Sequence, residues 1–274
     1  MRTPRYPRSP ITKIGNHFIE EWVGEFIPST SLQLVELLRS TPTCVLYLAR
    51  GDSDDTYGAR FVRNVPGAAS SWESRAERLE ALGGARVVRM GRRVVMSDWI
   101  ITLYDWGDGV QLNKLVAREG ALPYDSVTSL SHELCLALEE LHSAGFTHGE
   151  LDPEHVLVST TGDFGVVRLT AFDLYTSNAQ APGTAVRSQP FWAPEQVRGE
   201  APTISTDLYQ LGATMFFALT GRAPFEAKDP WALAASQFAG ARRASQFLPE
   251  VRDTALDHLI ADPVSYTHLR AHET

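Results

Sequence analysis

The sequence predicts an α+β protein of two lobes, a small β-rich N-terminal lobe at about residues 31–105 and a mainly helical C-terminal lobe at about residues 108–262. Two observations predict this division. Short runs rich in β-branched and aromatic residues, separated by turn formers and charges, fill residues 34–66 and 86–104. From Asp125 onward the apolar residues instead recur at helical spacing over longer segments.

The N-terminal lobe is predicted to be an antiparallel sheet with one helix. Its β-rich runs are short and have polar residues between them, which is typical of strands joined by turns. The helix is predicted in SSWESRAERLEAL, where Trp72, Ala76, Leu79 and Leu82 share one side. The predicted strands are LQLVELL, CVLYLAR, ARFVRNV, RVVRM, RRVVM and WIITLY.

Three helices are predicted in the C-terminal lobe. Asp125 is expected to cap the first one, and Gly145 lies just past its end, where a C-terminal glycine is common. The segment TDLYQLGATMFFALTG is apolar on nearly all sides, so this second helix is expected to be buried. Asp229 and Pro230 supply a cap and a first helical residue for the third. Two short strands, HVLV and VVRLT, are predicted between the first two helices.

Composition and the two ends restrict the class of protein. A net charge of −8 over 274 residues argues against a general nucleic-acid or anionic-membrane binder. Only two cysteines are present, and no apolar run reaches the about 18 residues of a membrane span, so a cytoplasmic location is expected. Residues 1–30 are predicted to be a disordered leader. Residues 263–274 contain VSYTHLRAHET, which resembles a translated sequencing adapter, so a non-native tail and a truncated C-terminal lobe are expected.

Three segments carry a resemblance to a known family. FWAPEQ, TDLYQLGATMFFALTGRAPF and HSAGFTHGELDPEHVLV resemble parts of a bacterial serine/threonine protein kinase domain, and their spacing fits that domain. The resemblance extends from about Leu34 to Asp262 and implies a two-lobed protein kinase-like fold. It also implies a phosphate-binding loop, a nucleotide site and a catalytic loop. The residues at each of these positions can be compared with those that phosphoryl transfer requires.

The glycine-rich loop of that family maps to LLRSTPTCVLYLAR. Its glycines let backbone N–H groups approach the ATP phosphates. In this sequence Arg39, Thr41 and Cys44 take the three glycine positions, and Pro42 lacks an amide donor. A plain β-hairpin that does not bind phosphate is therefore expected.

The strand lysine that grips the phosphates maps to Arg63, with Arg60 as the alternative register. Arginine keeps the charge but is bulkier and forked, so the exchange is not conservative. The glutamate that pairs with this lysine maps to Arg75, and two arginines would repel each other. A shift of one helical turn would place Glu77 there instead.

The hinge segment maps to Tyr104, Asp105 and Trp106. The resemblance implies that Asp105 and Trp106 offer backbone groups to an adenine ring, with Tyr104 as a bulky residue behind it. Aromatic packing is an equally good interpretation of this segment. Leu157, in the first strand after the catalytic loop, is a further candidate for the nucleotide site.

The catalytic loop maps to HGELDPEHV, where the family has His-Arg-Asp followed by Lys and Asn. His148 remains, whereas Gly149 replaces the arginine and Glu150 replaces the aspartate that accepts the substrate hydroxyl proton. The longer glutamate moves its carboxylate by an amount that can reduce the rate roughly 100-fold. Asp152 puts negative charge where the family has a cation, and His155 takes the place of the magnesium-binding Asn.

A literal Asp163-Phe164-Gly165 matches the family's magnesium motif but comes one strand too early. After the second predicted strand the sequence has Ala171-Phe172-Asp173, with alanine at the metal position. No metal-ligand set is therefore predicted. The structural positions are better preserved: the resemblance assigns His148, Phe172 and Leu79 to a stacked spine, Asp207 to the buried residue that holds the catalytic-loop backbone, and Glu195 to the end of the activation segment.

The departures occur together, so the resemblance implies a pseudokinase that acts in signalling by binding a protein partner or regulating an associated kinase. ATP is expected as a ligand only without a normal magnesium site. Neither nucleic acid nor a membrane is an expected partner of this chain. The alternative is a weak or atypical ATP-dependent serine/threonine kinase with Glu150 as base and Arg63 on the phosphates. A metabolite kinase, suggested by His-Gly-Glu, is disfavoured by WAPEQ and by the helix around Asp207.

Overall fold

The chain has a two-lobed α+β architecture, which confirms the predicted fold class. In the part of the chain described, the first compact unit comprises residues 22–64 and Val88–Asp108, and the second comprises Arg86, Val87 and the residues from Gly109 onward. The computed structural model describes residues 22–40, 44–64, 86–96, 99–159, 167–170, 190–227, 229–239 and 244–247.

The first unit is a five-stranded antiparallel sheet with the strand order β1-β2-β3-β5-β4. Four of the predicted runs form β1, β2, β3 and β5, and RRVVM lies in and just after β4. The expected hairpin is present, because β1 and β2 pair from Gln33↔Arg50 to Ser40↔Val45. The strands are β1 Gln33–Ser40, β2 Cys44–Arg50, β3 Thr56–Arg63, β4 Met90–Val95 and β5 Trp99–Asp105.

The prediction of a strand at RVVRM, residues 86–90, is wrong for all but its last residue. Only Met90 belongs to β4, and the residues before it lie outside the sheet. Their backbone is used elsewhere: Arg86 C=O accepts the N–H of Leu169, and Val87 forms a parallel bridge to the same residue. The Arg86 side chain also bonds to Glu133 and Glu140 of the second unit. Those contacts place Arg86 and Val87 in the second unit, whereas the rest of the run, from Val88 to Met90, belongs to the first.

One face of the sheet carries an aromatic core. Tyr47, Phe61 and Trp99 are buried there, and the Trp22 ring lies 5.4 Å from Phe61 and 5.7 Å from Trp99. The leader predicted over residues 1–30 is therefore too long, because its described part packs on the sheet. Ile27 is 1% exposed and donates its N–H to Leu32 O. Apolar burial of this kind offsets the entropy of ordering the segment.

The second unit joins a three-stranded antiparallel sheet, β6-β7-β8, to helices. The predicted helices and both predicted strands are present, whereas β6, α1 and the four-residue α3 were not predicted. The elements are β6 Gly109–Gln111, α1 Leu112–Glu119, α2 Tyr124–Ser143, β7 Val156–Ser159, β8 Val167–Leu169, α3 Pro194–Val197, α4 Ile204–Thr220 and α5 Pro230–Ala239, followed by a 3₁₀ turn at Ala244–Gln246.

Two of the three predicted helix-end signals are confirmed. Gly145 follows α2 with φ of +77° and donates its N–H to His142 O at 2.8 Å. Asp229 Oδ1 accepts the N–H groups of Trp231 and Ala232 at the start of α5. Asp125 is not the cap of α2: Pro123 holds that position, and Asp125 lies in the first turn, where its charge favours the helix dipole.

The core of the second unit forms around α4. As predicted, this helix is apolar on nearly all sides, and Leu211, Met215 and Phe216 are fully buried against α2 and the sheet. Its mid-section therefore provides a rigid support for the segment between α2 and β7. None of the helices described is long and apolar enough to cross a bilayer.

Candidate functional site

A buried carboxylate of α4 holds the segment that follows α2. Asp207 is fully buried, and its Oδ2 accepts the backbone N–H of His148 at 2.8 Å, while its Oδ1 accepts that of Gly149 at 2.7 Å. His142 Nε2 lies 2.7 Å from the same Oδ2. Hydrogen bonds to a charged acceptor are stronger than neutral ones. Asp207 therefore fixes the backbone at the start of the predicted catalytic loop.

Two glutamines that sequence reasoning missed extend this support. Gln210 Oε1 accepts the N–H of Leu151 at 2.9 Å, and Gln196 Nε2 donates to Gly149 O at 2.6 Å. Gln210 Nε2 also donates to Gln196 Oε1 at 3.0 Å. A signal was available, because Gln210 is a polar residue one turn after Asp207 in an otherwise apolar helix.

Gly149 has a backbone conformation that the family's arginine would not adopt easily. Its φ is +74°, a region that residues with a Cβ rarely occupy. The side chain of Pro202 covers its α-carbon. The position that has an arginine in the resembled family is therefore closed in this protein.

Asp152 and His155 are paired with each other. Asp152 Oδ1 lies 2.8 Å from His155 Nδ1 and also accepts the N–H groups of Glu154 and His155. The two side chains are 12% and 4% exposed. A buried carboxylate is stabilised by such a set of donors, and these three lie within three residues of Asp152. The pair closes the turn that leads into β7.

His148 is a buried neutral imidazole. Its Nδ1 accepts the N–H of Glu150, and its Nε2 lies 3.3 Å from Thr170 O, so Nε2 carries the proton. Burial, followed by the nearby His155, lowers the His148 pKa from 6.5 to about 4, against the opposing effects of Asp207 and Asp152. The His148 and His155 rings meet edge to face at 5.6 Å. His148 therefore acts as packing between the loop and the end of β8.

Three more of the predicted site residues lie in the second unit. Glu150 is half-buried in the loop. Leu157 is fully buried in β7 and packs so close to Gly109 that a Cβ on this glycine would stand 2.9 Å from the leucine Cβ. Glu195 is buried at the start of α3, and its Oε1 accepts the hydroxyl of Thr206 at 2.5 Å.

The hinge candidates lie at the end of the first unit's central strand. Tyr104 is buried opposite Gly58 of β3, whereas Asp105 is exposed and donates its N–H to Arg89 O at 3.0 Å. Trp106 is buried and donates its N–H to Thr56 O at 3.1 Å. The amides of both predicted hinge residues thus have acceptors within the unit.

The two registers for the phosphate-gripping residue both fall on β3. Arg60 pairs with Thr102 and is 4% exposed. Arg63 pairs with Trp99 at the end of the strand. Gly58 and Arg60 share a face, so the Arg60 register places the charge beside the hinge strand.

Several predicted residues lie outside the residues that the structure describes. These are Thr41 and Pro42 of the predicted phosphate loop, Leu79 and Phe172 of the predicted spine, Arg75 and Glu77 of the helix predicted in SSWESRAERLEAL, and both versions of the magnesium motif at 163–165 and 171–173. Within the described ranges, no group of three or more His, Cys, Asp or Glu residues is arranged to hold a metal ion. The site that can be described is therefore a well-supported loop without a metal cluster.

Comparisons with known proteins agree with this architecture. The "Protein kinase domain" family model matches residues 69–260, which is more than half of the chain. A solved structure titled "Crystal structure of Rad53 1-466 in complex with AMP-PNP" is similar with a TM-score of 0.67 and 20% identity, over 85% of this chain and 62% of that one. At that identity the likeness concerns the fold alone.

Curated relatives are bacterial proteins named as serine/threonine-protein kinases. PknK of Mycobacterium tuberculosis H37Rv is 35% identical over 150 residues, which are 53% of this chain and 13% of the relative. AfsK of Streptomyces griseus is 31% identical over 185 residues, 65% of this chain and 21% of the relative. This chain thus spans only a small part of the length of these relatives. From the family match and the fold together, the chain belongs to the protein kinase domain family.

Proposed function

We propose that this protein kinase domain is impaired in phosphoryl transfer and acts in signalling by binding a protein partner or regulating an associated kinase. The Asp152–His155 pair is the observation that carries the proposal. It occupies the two positions where the resembled kinases have the lysine and the magnesium-binding asparagine. Asp152 Oδ1 accepts the backbone N–H groups of Glu154 and His155 and lies 2.8 Å from His155 Nδ1.

The charge at position 152 supports the proposal on electrostatic grounds. Phosphoryl transfer depends on cations that neutralise the negative charge on the transferred group. Asp152 instead adds a carboxylate, and the N–H groups of its own loop stabilise it there. Bringing a phosphate beside it would cost Coulomb energy, because like charges repel strongly where water is largely excluded.

His155 does not replace the lost metal ligand. Its Nδ1 faces Asp152, and its ring packs edge to face against His148. A neutral histidine can bind transition metals, but magnesium prefers oxygen ligands. The Asn-to-His change therefore favours loss of the magnesium position over its replacement.

A binding role is supported by the scaffold that remains. Asp207, Gln210 and Gln196 hold the loop backbone through hydrogen bonds that need no nucleotide or metal. A loop held by these hydrogen bonds is preorganised, which reduces the entropy lost when a partner binds. The family membership implies ATP as the nucleotide that such domains bind in general, and the proposal concerns the loss of transfer.

A weak kinase activity is the second candidate. In its favour, the curated relatives are named as kinases, and Glu150 is a half-buried carboxylate at the predicted base position. In that case Glu150 would accept the proton of a substrate hydroxyl. The two candidates differ in one measurable quantity, the rate of phosphate incorporation.

The test is a transfer assay with the full chain. Autophosphorylation and phosphorylation of a basic protein substrate are followed with labelled ATP and magnesium or manganese. We expect the wild type to incorporate no more label than Glu150→Ala. A combined Glu150→Asp, Asp152→Lys and His155→Asn variant tests whether the loop alone prevents transfer. Magnesium-dependent transfer by the wild type that disappears in Glu150→Ala would overturn the proposal in favour of the weak kinase.

A further inference from the structure

The face of the first sheet beside the hinge is covered by an aromatic ring of the same chain. Trp106 is 4% exposed, and its indole lies against the α-carbon of Gly58 in β3. A Cβ placed on Gly58 would stand 2.6 Å from Trp106 Cε3 and 2.9 Å from Cζ3. Contacts under 3 Å do not occur between real carbon atoms, so a residue larger than glycine would displace the ring. The glycine and the indole are therefore matched in shape.

The backbone fixes the indole in this place. Trp106 donates its N–H to Thr56 O at 3.1 Å, and the Thr56 hydroxyl donates to Gly107 O. Asp105 N–H is bonded to Arg89 O. These bonds tie the hinge segment to the beginning of β3 and to the residue before β4. Backbone groups that a base would need for recognition are thus engaged inside the unit.

The ring also covers the strand that carries the candidate phosphate-gripping residue. Gly58 and Arg60 lie on the same face of β3, and Tyr104, paired with Gly58, contributes to that face from β5. Tyr104 Cβ lies 3.7 Å from the position of a Gly58 Cβ. A planar base placed against this face beside the hinge would need the space that the indole fills.

We propose that Trp106 acts as an intramolecular substitute for a purine base, filling a flat site over Gly58 that would otherwise accept one. Indole and purine are both planar bicyclic rings of similar size, so the same slot between β3 and the hinge suits either of them. The chain's own residues therefore do not fit an adenine ring while Trp106 is in place. This inference rests on the proposed function and deepens it, because a base site filled by the chain itself would be a further cause of impaired transfer.

The test replaces Trp106 by a smaller residue and measures whether the site then binds a purine base. Adenosine is the probe, because it has neither phosphate nor metal and reports on the base site alone. Binding to the full chain is measured by calorimetry for the wild type, Trp106→Ala and Trp106→Leu. We expect adenosine to bind Trp106→Ala at least about tenfold more tightly than wild type, and free indole to bind it as well. Trp106→Leu keeps apolar volume and serves where the alanine variant does not fold.

A second variant displaces the ring without deleting it. Gly58→Ala should push the indole aside, which moves the Trp106 indole N–H signal in a nitrogen–proton NMR spectrum, and the Trp106→Ala spectrum assigns that signal. Two control variants distinguish displacement of the Trp106 ring from a general destabilisation of the sheet. Trp99→Ala removes a buried indole on the other face of the sheet, and Gly91→Ala adds a Cβ at an ordinary 3.5 Å from Leu103 O. Neither control should gain adenosine binding.

The outcomes distinguish the two proposals. Equal adenosine affinity in wild type and the Trp106 variants would overturn the inference about the ring and leave the loss of transfer standing. Binding of indole but not adenosine by Trp106→Ala would also overturn it, because Trp106 would then be an ordinary core residue. Phosphate transfer by the wild type would overturn the proposed function, whatever the Trp106 variants bind.

Discussion

The side chain of Pro202 stands where a side chain on Gly149 would have to begin: a Cβ at Gly149 would lie 2.9 Å from Pro202 Cγ and 3.2 Å from Pro202 Cβ. Gly149 also has φ of +74°. Two separate obstacles thus oppose any other residue at this position, one in the backbone and one in the packing. Arginine, the family residue at this point, would meet both.

Gly149→Ala should therefore destabilise the protein more than backbone strain alone does. Left-handed strain costs about 1–3 kcal/mol, and the contact with Pro202 should add about 1 kcal/mol or more. Gly221→Ala is the control, since Gly221 has a left-handed φ of +69° and its Cβ position has only an ordinary contact, at 3.8 Å from Ala121 N. Urea unfolding of both variants measures the difference. Equal losses of unfolding free energy would show that Pro202 moves aside freely.

Asp207→Asn should cost roughly 3 kcal/mol of unfolding free energy. An asparagine keeps one acceptor oxygen but places an NH₂ group against one of the two backbone N–H groups, of His148 or Gly149. The charge that strengthens the contact with His142 is lost too. Asp229→Asn provides the control, because asparagine caps helices as well as aspartate does and Asp229 is exposed.

The check is chemical denaturation of the two variants beside wild type. A loss below about 0.5 kcal/mol for Asp207→Asn, similar to the control, would mean that the loop is held mainly by Gln210 and Gln196. In that case the carboxylate would not be the main support of the segment.

Much of the fold could be predicted because its strongest signals are local. Short runs rich in β-branched and aromatic residues indicated β2 and β5, and the apolar run of α4 indicated a buried helix before any contact was known. The missed helix α1 did carry a local signal, the helical spacing of Leu112, Leu115 and Val116, whereas β6 has none. β6 has three residues and exists because Val110 pairs with Val158 of β7, a contact that no local window contains.

The candidate site was less predictable, because its contacts join distant parts of the chain. The resemblance drew attention to Asp152 and His155 one at a time, as replacements, and did not suggest that they bond to each other. The fit of Trp106 against Gly58 depends on the register of β3 with β5. Only the folded sheet brings that glycine and that ring together.

Asp152 and His155 should show a favourable coupling free energy. Asp152→Ala removes the acceptor of three hydrogen bonds in a buried turn and should cost about 1–3 kcal/mol. Asp152→Asn keeps an oxygen in the same place and should cost much less. His155→Ala alone removes only one of the three bonds.

A double-mutant cycle with both alanine changes isolates the side-chain pair. We expect a coupling of about 1 kcal/mol or more between the two positions. Additive losses would indicate that Asp152 acts only on the backbone N–H groups and that His155 is available for another role.

Acid sensitivity should depend on His148. Its pKa is lowered from 6.5 to about 4 by burial and then by His155, so between these values the unfolded chain binds a proton that the folded chain does not. Above about pH 6.5 the imidazole is neutral in both states, and the free energy of unfolding has its full value. As the pH falls from there to about 4, the unfolded chain gains the proton and the free energy of unfolding decreases. The shift corresponds to roughly 3 kcal/mol in total. His155, Asp152 and Asp207 lie near the ring in wild type and variant alike, so the comparison is made between the two proteins.

His148→Gln keeps an N–H donor near Thr170 O and removes the ionisable ring. Urea unfolding is measured for wild type and variant at pH 7.5 and pH 4.5, where the neighbouring carboxylates are common to both proteins. Between these two pH values the unfolding free energy of the variant should decrease by about 2 kcal/mol less than that of wild type, whatever its value at pH 7.5. Parallel losses in the two proteins would place the His148 pKa in the folded state near 6.5, and the ring would then be accessible to protons from water. A larger decrease in unfolding free energy for the variant than for wild type would mean that another group of the loop, and not His148, causes the acid sensitivity.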